Sequence, residues 1–271
     1  MMKRSWMALC LILTTIASGF AEEGEVAKIQ DNSFLIEEGY NQEPGVIQHI
    51  QSLIYMKDST WGYAFTQEWP VPKQTHQLSY TIPVLHVKSS GEETGLGDVA
   101  LNYRYQLLLR GPLAIAPRLS LLLPTGDRKK GQGSGSVGLQ TNLPLSVELL
   151  DRWVTHWNMG LTWTPDHKGP GRGEADTLDF NLGASLIFLA SENINLMCEG
   201  VWTSIESIRE DGRKKRDYTF LINPGMRFAI NFKSGLQIVP GMAIPLGLGP
   251  SSGEYGMFLY LSFEHPLWQE R

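Results

Sequence analysis

Apolar and polar residues alternate with a period of two along much of this chain. From Val99 to Leu109, every second position is apolar or aromatic, and most residues between are polar. Residues 177–188 repeat the pattern, with leucine and phenylalanine at most even positions and Asp179 and Asn181 among the odd ones. This period is typical of a β-strand with one apolar and one polar face.

Twelve segments of this kind can be drawn along the sequence. From the third segment onward, short and long connections alternate, as the periplasmic turns and outer loops of an outer-membrane barrel do. The pattern therefore predicts an all-β protein: a transmembrane antiparallel β-barrel of about twelve strands, spanning residues 46–271. The predicted strands lie near residues 46–56, 61–69, 76–87, 97–109, 113–123, 136–149, 153–164, 177–190, 193–205, 217–231, 235–246 and 254–264.

The chain start predicts export. Lys3 and Arg4 precede a short apolar run, and small residues at Gly19 and Ala21 predict that residues 1–21 are a signal peptide, cleaved before Glu22. No later segment is apolar over the roughly 18 residues that a membrane-spanning helix needs. These features predict the cell outer membrane as the location and leave a soluble exported all-β protein as an alternative.

Residues 22–45 form a predicted periplasmic N-terminal segment before the first strand. Its apolar residues Phe34, Leu35 and Ile36 require burial, either in an extra strand or as a plug inside the barrel. A plug would narrow the pore, and its movement would act as a gate.

Five prolines conflict with continuous strands, because proline cannot donate a hydrogen bond to a neighbouring strand and a closed barrel has no free edge. Bulges or breaks are expected where they lie. Two of them belong to a repeated tripeptide, Pro224-Gly225-Met226 and Pro240-Gly241-Met242. The other three are Pro83, Pro117 and Pro144.

With the apolar faces toward lipid, the polar faces would line the lumen. Charges of both signs there can pair and fill a narrow lumen, or border a water path that selects solutes. Twelve strands lie between a filled and an open barrel, which predicts a narrow or partly plugged pore. The predicted lumen-lining residues are Asp98, Asn102, Arg104, Arg118, His156, Asp179, Glu199 and Arg227.

Candidate chemistry is sparse. The six histidines are scattered and no G-x-S-x-G motif occurs. The sequence therefore predicts a protein that is not an enzyme, with no catalytic residue, cofactor or metal. A net charge of −5 on an exported chain also argues against binding nucleic acid. Only Cys198 remains after the signal peptide, so no internal disulfide is expected.

Several stretches resemble a family of bacterial exported proteins labelled phenol-degradation meta-pathway proteins or outer-membrane transporters. The resemblance implies a barrel and the passage of aromatic compounds, but no reaction. The matching stretches are Phe34–Glu38, Gly45–His49, Gly95–Val99, Ala116–Ser120, Leu123–Asp127, Gly138–Gln140, Leu143-Pro144 and His156–Asn158.

The last predicted strand, Tyr255–Phe263, resembles the strand by which the barrel-assembly machinery recognises its clients, although eight residues follow it. The expected partners are this machinery, outer-membrane lipid and a small-molecule solute. The expected function is passive passage of small, aromatic or hydrophobic, molecules through a narrow polar lumen. The alternative is a non-conducting structural or surface-binding barrel. We also expect an arginine to be tolerated better at Ser185, on the lumen face, than at Leu182, on the lipid face.

Overall fold

The computed structural model describes residues 33–71, 73–88, 93–171, 173–209 and 211–266. The predicted signal peptide and the beginning of the N-terminal segment lie outside these residues. Residues 33–45, which precede the first strand, form no strand themselves. Within the described residues, no helix has the length and apolar character that crossing a membrane requires.

The strands form one closed antiparallel sheet. Each is hydrogen-bonded to its neighbours, and the last strand pairs with the first from Val46↔Pro266 to Met56↔Gly256. The result is a barrel of 12 strands, which confirms the predicted fold and strand number. The strand segments are β1 (Val46–Met56), β2 (Trp61–Pro70), β3 (His76–Val87), β4 (Glu93–Leu96), β5 (Val99–Tyr105), β6 (Leu108–Arg110), β7 (Leu113–Ile115), β8 (Arg118–Leu123), β9 (Gly138–Leu150), β10 (Trp153–Lys168), β11 (Glu174–Ser191), β12 (Ile194–Ile208), β13 (Lys214–Phe228), β14 (Ile230–Asn231), β15 (Gln237–Ala243), β16 (Leu246–Gly247) and β17 (Gly256–Pro266).

Four of the twelve barrel strands are interrupted, namely β4–β6, β7–β8, β13–β14 and β15–β16, and the interruptions lie beside prolines. Opposite Pro83, the neighbouring strand carries one extra residue: Val84 pairs with Leu96, whereas Thr81 pairs with Ala100. The breaks after β7, β13 and β15 likewise lie across from Pro144, Pro240 and Pro224. A proline leaves the carbonyl across from it without a donor, so the adjacent strand departs from regular pairing there.

The two faces of each strand follow the predicted alternation. In β5, Leu101 is 46% exposed on the outer surface, while Asn102 and Arg104 are 7% and 3% exposed on the inside. Several hairpins extend beyond their predicted ends. The segments predicted as long outer loops at residues 89–96 and 165–176 contain β4 and the ends of β10 and β11.

The inner surface is not uniformly polar. Val154, Ile187, Leu189 and Met197 form a buried apolar cluster, and Phe258 and Tyr260 belong to another. The expectation of a polar lumen is therefore incomplete, since apolar side chains cover part of the wall. This mixed surface is where residues 33–42 bind.

Candidate functional site: the lumen and the segment inside it

Residues 33–42, here called the lumen segment, lie inside the barrel and join β1 through residues 43–45. Their contacts reach distant parts of the wall, from β12 at Phe34 to β3 at Gln42. The backbone N–H groups of the segment donate to side chains of the wall. This differs from the barrel itself, in which backbone groups bond to each other.

Glu199 of β12 holds the beginning of the lumen segment. Its Oε1 atom accepts hydrogen bonds from the backbone N–H groups of Phe34, Leu35 and Ile36, at 3.0, 2.8 and 3.1 Å. Its Oε2 atom accepts one from Nδ2 of Asn223, at 2.8 Å. All four bonds are donated to the carboxyl group, which suits its ionised form because a carboxylate only accepts.

Glu37 is held on the other side of the lumen. It forms an ion pair of 2.8 Å with Arg118, and its Oε1 accepts a hydrogen bond from Nδ2 of Asn142 at 2.9 Å. Asn158 binds the Glu37 backbone, accepting from its N–H at 2.8 Å and donating to its carbonyl at 2.7 Å. Burial raises the pKa of the Glu37 carboxyl, but Arg118 and Arg104 outweigh it and hold the pKa below its usual range. Glu37 therefore contributes a stable negative charge between two arginines.

Arg104 contacts the next residue of the segment. Its guanidinium donates to the backbone carbonyl of Glu38 and lies 3.5 Å from the carboxylate of the same residue. Arg104 is almost fully buried. A buried arginine requires such a partner, because an isolated charge is costly to remove from water.

Neutral side chains hold the rest of the segment. Ser146 Oγ accepts from the Gly39 N–H at 2.6 Å and also lies 2.6 Å from Nδ1 of His156. Gln106 and Gln77 accept from the N–H groups of Asn41 and Gln42, at 2.7 and 2.6 Å. The serine–histidine pair thus binds the segment's backbone. In the described residues, Nε2 of His156 has no hydrogen-bond partner, so no carboxylate orients the ring as it would in a catalytic triad.

A cavity of about 330 Å³ remains beside the lumen segment. Residues of the segment form one side, and the wall from β1 to β9, with Tyr260 of β17, forms the other. The wall contributes hydroxyl groups from Ser52, Thr66, Ser79 and Thr81 and the charged groups of Glu68, Arg104 and Arg118. Both sides are mixed, because the segment adds the carboxylates of Glu37 and Glu38 beside its apolar residues, and the wall adds Ile50 and Tyr260 beside its polar ones.

Residues 46–240 match the model of a protein family described as "Putative MetA-pathway of phenol degradation". The chain belongs to this family. The resemblance predicted from the sequence is thereby confirmed. No curated protein matches the chain.

Two solved structures share the fold. An outer-membrane channel from Pseudomonas putida F1 aligns with 91% of this chain and 99% of its own, with a TM-score of 0.64 and 13% identity. The NanC porin aligns with 80% of this chain and 98% of its own, with a TM-score of 0.54 and 6% identity. A closed barrel of this fold, with leucine, tyrosine and tryptophan side chains exposed around its outer surface, belongs in the outer membrane, as predicted.

The structure brings most of the predicted lumen residues to the lumen segment. Arg104, Arg118 and Glu199 bind it directly, and His156 acts through Ser146. Asn102 lies behind Arg118, accepting a hydrogen bond from its Nη1 at 3.0 Å. Arg227 faces the Phe34 ring, at 4.6 Å from the ring centroid.

Asp98 and Asp179 form hydrogen bonds with residues of the barrel and its loops rather than with the lumen segment. Asp98 lies between β4 and β5, where it accepts from the N–H groups of Gly126 and Ser134 and from the Ser134 hydroxyl, at 2.7–2.9 Å. Asp179 accepts from the N–H of Glu206 at 2.7 Å. Asp98 thus orders the loop between β8 and β9, and Asp179 connects β11 to β12.

Sequence reasoning missed the residues that the segment itself contributes. Glu37 and Glu38 supply the negative charges for Arg118 and Arg104. An acidic pair next to the apolar residues Phe34–Ile36, facing a lumen with inward arginines, was an available signal. The glutamines at the segment's other end, Gln77 and Gln106, gave no signal, since exposed glutamines are common in strands and turns.

Among the described residues, no group of three histidine, cysteine, aspartate or glutamate side chains is placed to hold a metal ion.

Proposed function

We propose that this protein is an outer-membrane channel for the passive passage of small molecules, aromatic or otherwise hydrophobic ones among them. The lumen segment closes it at rest. No chemical step is involved, and the solute crosses by diffusion once the segment has moved. The observation that carries the proposal is the way the segment is attached: its N–H groups bind wall side chains, so it can leave without breaking a hydrogen bond of the barrel.

The composition of the lumen supports a small, partly apolar solute. The cavity of about 330 Å³ is bordered by hydroxyl and charged groups together with apolar side chains such as Phe34, Leu35 and Ile50. Such a space suits a molecule with one polar and one apolar part. Family membership points in the same direction, because the family description refers to phenol degradation.

The experiment removes the segment. We would delete residues 22–43, purify the folded barrel from membranes and record single-channel currents in a planar bilayer with and without phenol. The matched control deletes residues 22–32 only and so keeps the whole lumen segment, residues 33–42. We expect discrete, large current steps from the 22–43 deletion and small or rare steps from the full protein and the control. The current through the 22–43 deletion should also change when phenol is added.

A non-conducting structural barrel is the second candidate, and the extent to which the segment fills the lumen favours it. In that case the segment would be a permanent part of the core, like the filled interior of small barrels. A folded 22–43 deletion that never conducts would support this candidate and overturn the channel. If the deletion conducts but its current does not change when phenol is added, the channel is supported and the aromatic solute is overturned.

We also propose two further partners expected from the sequence, outer-membrane lipid and the barrel-assembly machinery. The exposed apolar band contacts outer-membrane lipid, and β17 is the strand that the barrel-assembly machinery recognises. Replacing Phe263 of β17 with alanine should lower the amount of assembled barrel in outer-membrane fractions, whereas Glu254→Ala, before the strand, should not. Equal amounts of both variants would argue against recognition through Phe263.

A further inference from the structure

The side chain of Phe34 occupies an aromatic site in the barrel wall. Its ring lies 5.1 Å from the ring of Phe258 and 5.5 Å from that of Tyr260, measured between centroids. The Arg227 guanidinium carbon lies 4.6 Å above the Phe34 ring and 3.9 Å from the centre of the Tyr260 ring. Arg227 is fully buried, and a desolvated cation attracts an aromatic face more strongly than an exposed one.

Two glycines make room for this ring. A Cβ atom at Gly241 would lie 2.6 Å from a Phe34 ring carbon, and one at Gly225 would lie 2.7 Å from another. They are the central residues of the repeated Pro-Gly-Met tripeptide on β13 and β15, and Gly241 lies directly across from Arg227. The repeat therefore forms a recess for a flat ring. We call the recess formed by Gly225, Arg227, Gly241, Phe258 and Tyr260 the aromatic recess.

Polar atoms without partners lie around the recess. Among the described residues, the Tyr260 hydroxyl, the Ser262 hydroxyl and Oδ1 of Asn223 have no hydrogen-bond partner, and all three side chains are at least nine-tenths buried. Buried polar groups normally find partners. A phenylalanine cannot supply one, whereas an aromatic molecule that carries a hydroxyl group can.

We propose that the aromatic recess is a binding site for a free hydroxylated aromatic ring, and that Phe34 occupies it as a tethered substitute. A phenol-like solute that enters the lumen competes with Phe34, and its binding favours the state in which the lumen segment has been released. This inference rests on the proposed channel function, and it adds a ligand class and a mode of opening. The solute opens the path that it then follows.

The size of the effect follows from mass action. A ligand that binds only the released state raises the ratio of released to closed protein by the factor 1 + [L]/Kd. At a phenol concentration 100 times its Kd, the open-to-closed ratio should rise about 100-fold. Cyclohexanol has a similar size and the same hydroxyl group but no aromatic face, so it should raise the ratio far less.

The first test uses Phe34→Ala, with Tyr40→Ala as the matched control in the same segment, because the Tyr40 ring packs against His156, 6.0 Å away between centroids, and not in the recess. Phenol binding to the detergent-purified full-length protein would be measured by equilibrium dialysis. Because Phe34→Ala removes the competitor, it should bind phenol at least tenfold more tightly than the wild-type protein, and Tyr40→Ala should not. Equal affinities for all three proteins, or equal binding of phenol and cyclohexanol, would overturn the proposal.

The second test blocks the recess from the wall side. Gly241→Ala places a methyl group where the ring lies, and the three atoms nearest to that methyl group belong to the side chains of Phe34 and Arg227. The control is Gly200→Ala in β12, where the nearest atoms to the added carbon are 3.9 Å away. Gly241→Ala should abolish phenol binding, including in the Phe34→Ala background, while Gly200→Ala retains it. Undiminished binding in Gly241→Ala would overturn the proposal.

Because both tests measure binding, they are separate from the test of the channel. If the 22–43 deletion conducts but phenol does not bind in the recess, the channel stands and this inference fails. If phenol binds in the recess but the deletion never conducts, the site stands and the barrel binds aromatic molecules without transporting them.

Discussion

Replacing Glu199 with glutamine should open the lumen while leaving the barrel intact. One oxygen of this side chain accepts three backbone N–H groups of the lumen segment, at 2.8–3.1 Å. Glutamine keeps the size of the side chain and an accepting oxygen but removes the charge. The three bonds therefore become neutral ones, which are roughly half as strong.

The magnitude follows from the number of bonds affected. A hydrogen bond to a charged group contributes about 1.5–3 kcal/mol and a neutral one about 0.5–1.5 kcal/mol, so each loses about 1 kcal/mol. Three donors share one oxygen, which lowers the total to about 2–3 kcal/mol. Since 1.4 kcal/mol is a factor of ten, the ratio of released to bound segment should rise about 30- to 150-fold.

Open probability in single-channel recordings measures this ratio. Thr203→Val is the control, because Thr203 also lies on β12 and bonds to Thr219 at 2.6 Å rather than to the segment. Thermal unfolding in detergent should show that both variants remain folded. The reasoning would be refuted if Glu199→Gln stayed as closed as the wild-type protein while the 22–43 deletion conducted.

Three further predictions concern the other contacts. The first is a double-mutant cycle of Glu37→Gln and Arg118→Gln, measured through open probability. We expect a coupling energy of about 1–3 kcal/mol, because the two side chains are partly buried and 2.8 Å apart. Additive effects of the two substitutions would contradict a direct interaction. Leu182→Arg should lower the free energy of unfolding in lipid vesicles by about 2–4 kcal/mol. Glu174→Arg, near the end of the same strand, should change this free energy by less than about 1 kcal/mol. Similar losses for both variants would place Leu182 away from lipid. Asp98→Asn weakens three hydrogen bonds to the loop at residues 126–134, so trypsin should cleave this loop about tenfold faster. The cleavage rate would be measured by gel analysis of the native protein, and an unchanged rate would show that Asp98 does not order the loop.

The barrel could be predicted because its signal is local. The alternation of apolar and polar residues within each strand, as in Val99–Tyr105, predicts that strand. The pairing of neighbouring strands into hairpins then follows from their order in the chain. The effect of the prolines could be predicted only in part. Their lack of an N–H predicts bulges or breaks where they lie, but of the five only Pro117 lies in a break between strand segments. Pro144 and Pro224 stay inside continuous strands, and the break appears across from them, which single-strand reasoning does not reveal.

The contacts of the lumen segment could not be predicted because they join residues far apart in sequence. Glu199 binds Phe34 across 165 residues, and nothing in the local pattern of β12 indicates that partner. The expected tolerance of arginine at Ser185 stays a prediction, and it too meets a contact that joins residues far apart in sequence. Ser185 faces inward as predicted, but it is 2% exposed and lies 3.0 Å from the hydroxyl of Ser33, so an arginine there would displace the segment.

The sequence left two roles for the inward charges: pairing that fills the lumen, or lining a water path. In the channel that we propose, the same residues perform both roles in turn. While the segment is bound, Arg104 and Arg118 are paired with Glu38 and Glu37, and the lumen is closed. When the segment leaves, water enters and solvates the arginines, so the cost of breaking the ion pairs is far lower than it would be in a dry core. The charges that close the lumen then become the charges that line it, which lets a buried, well-bonded segment remain removable.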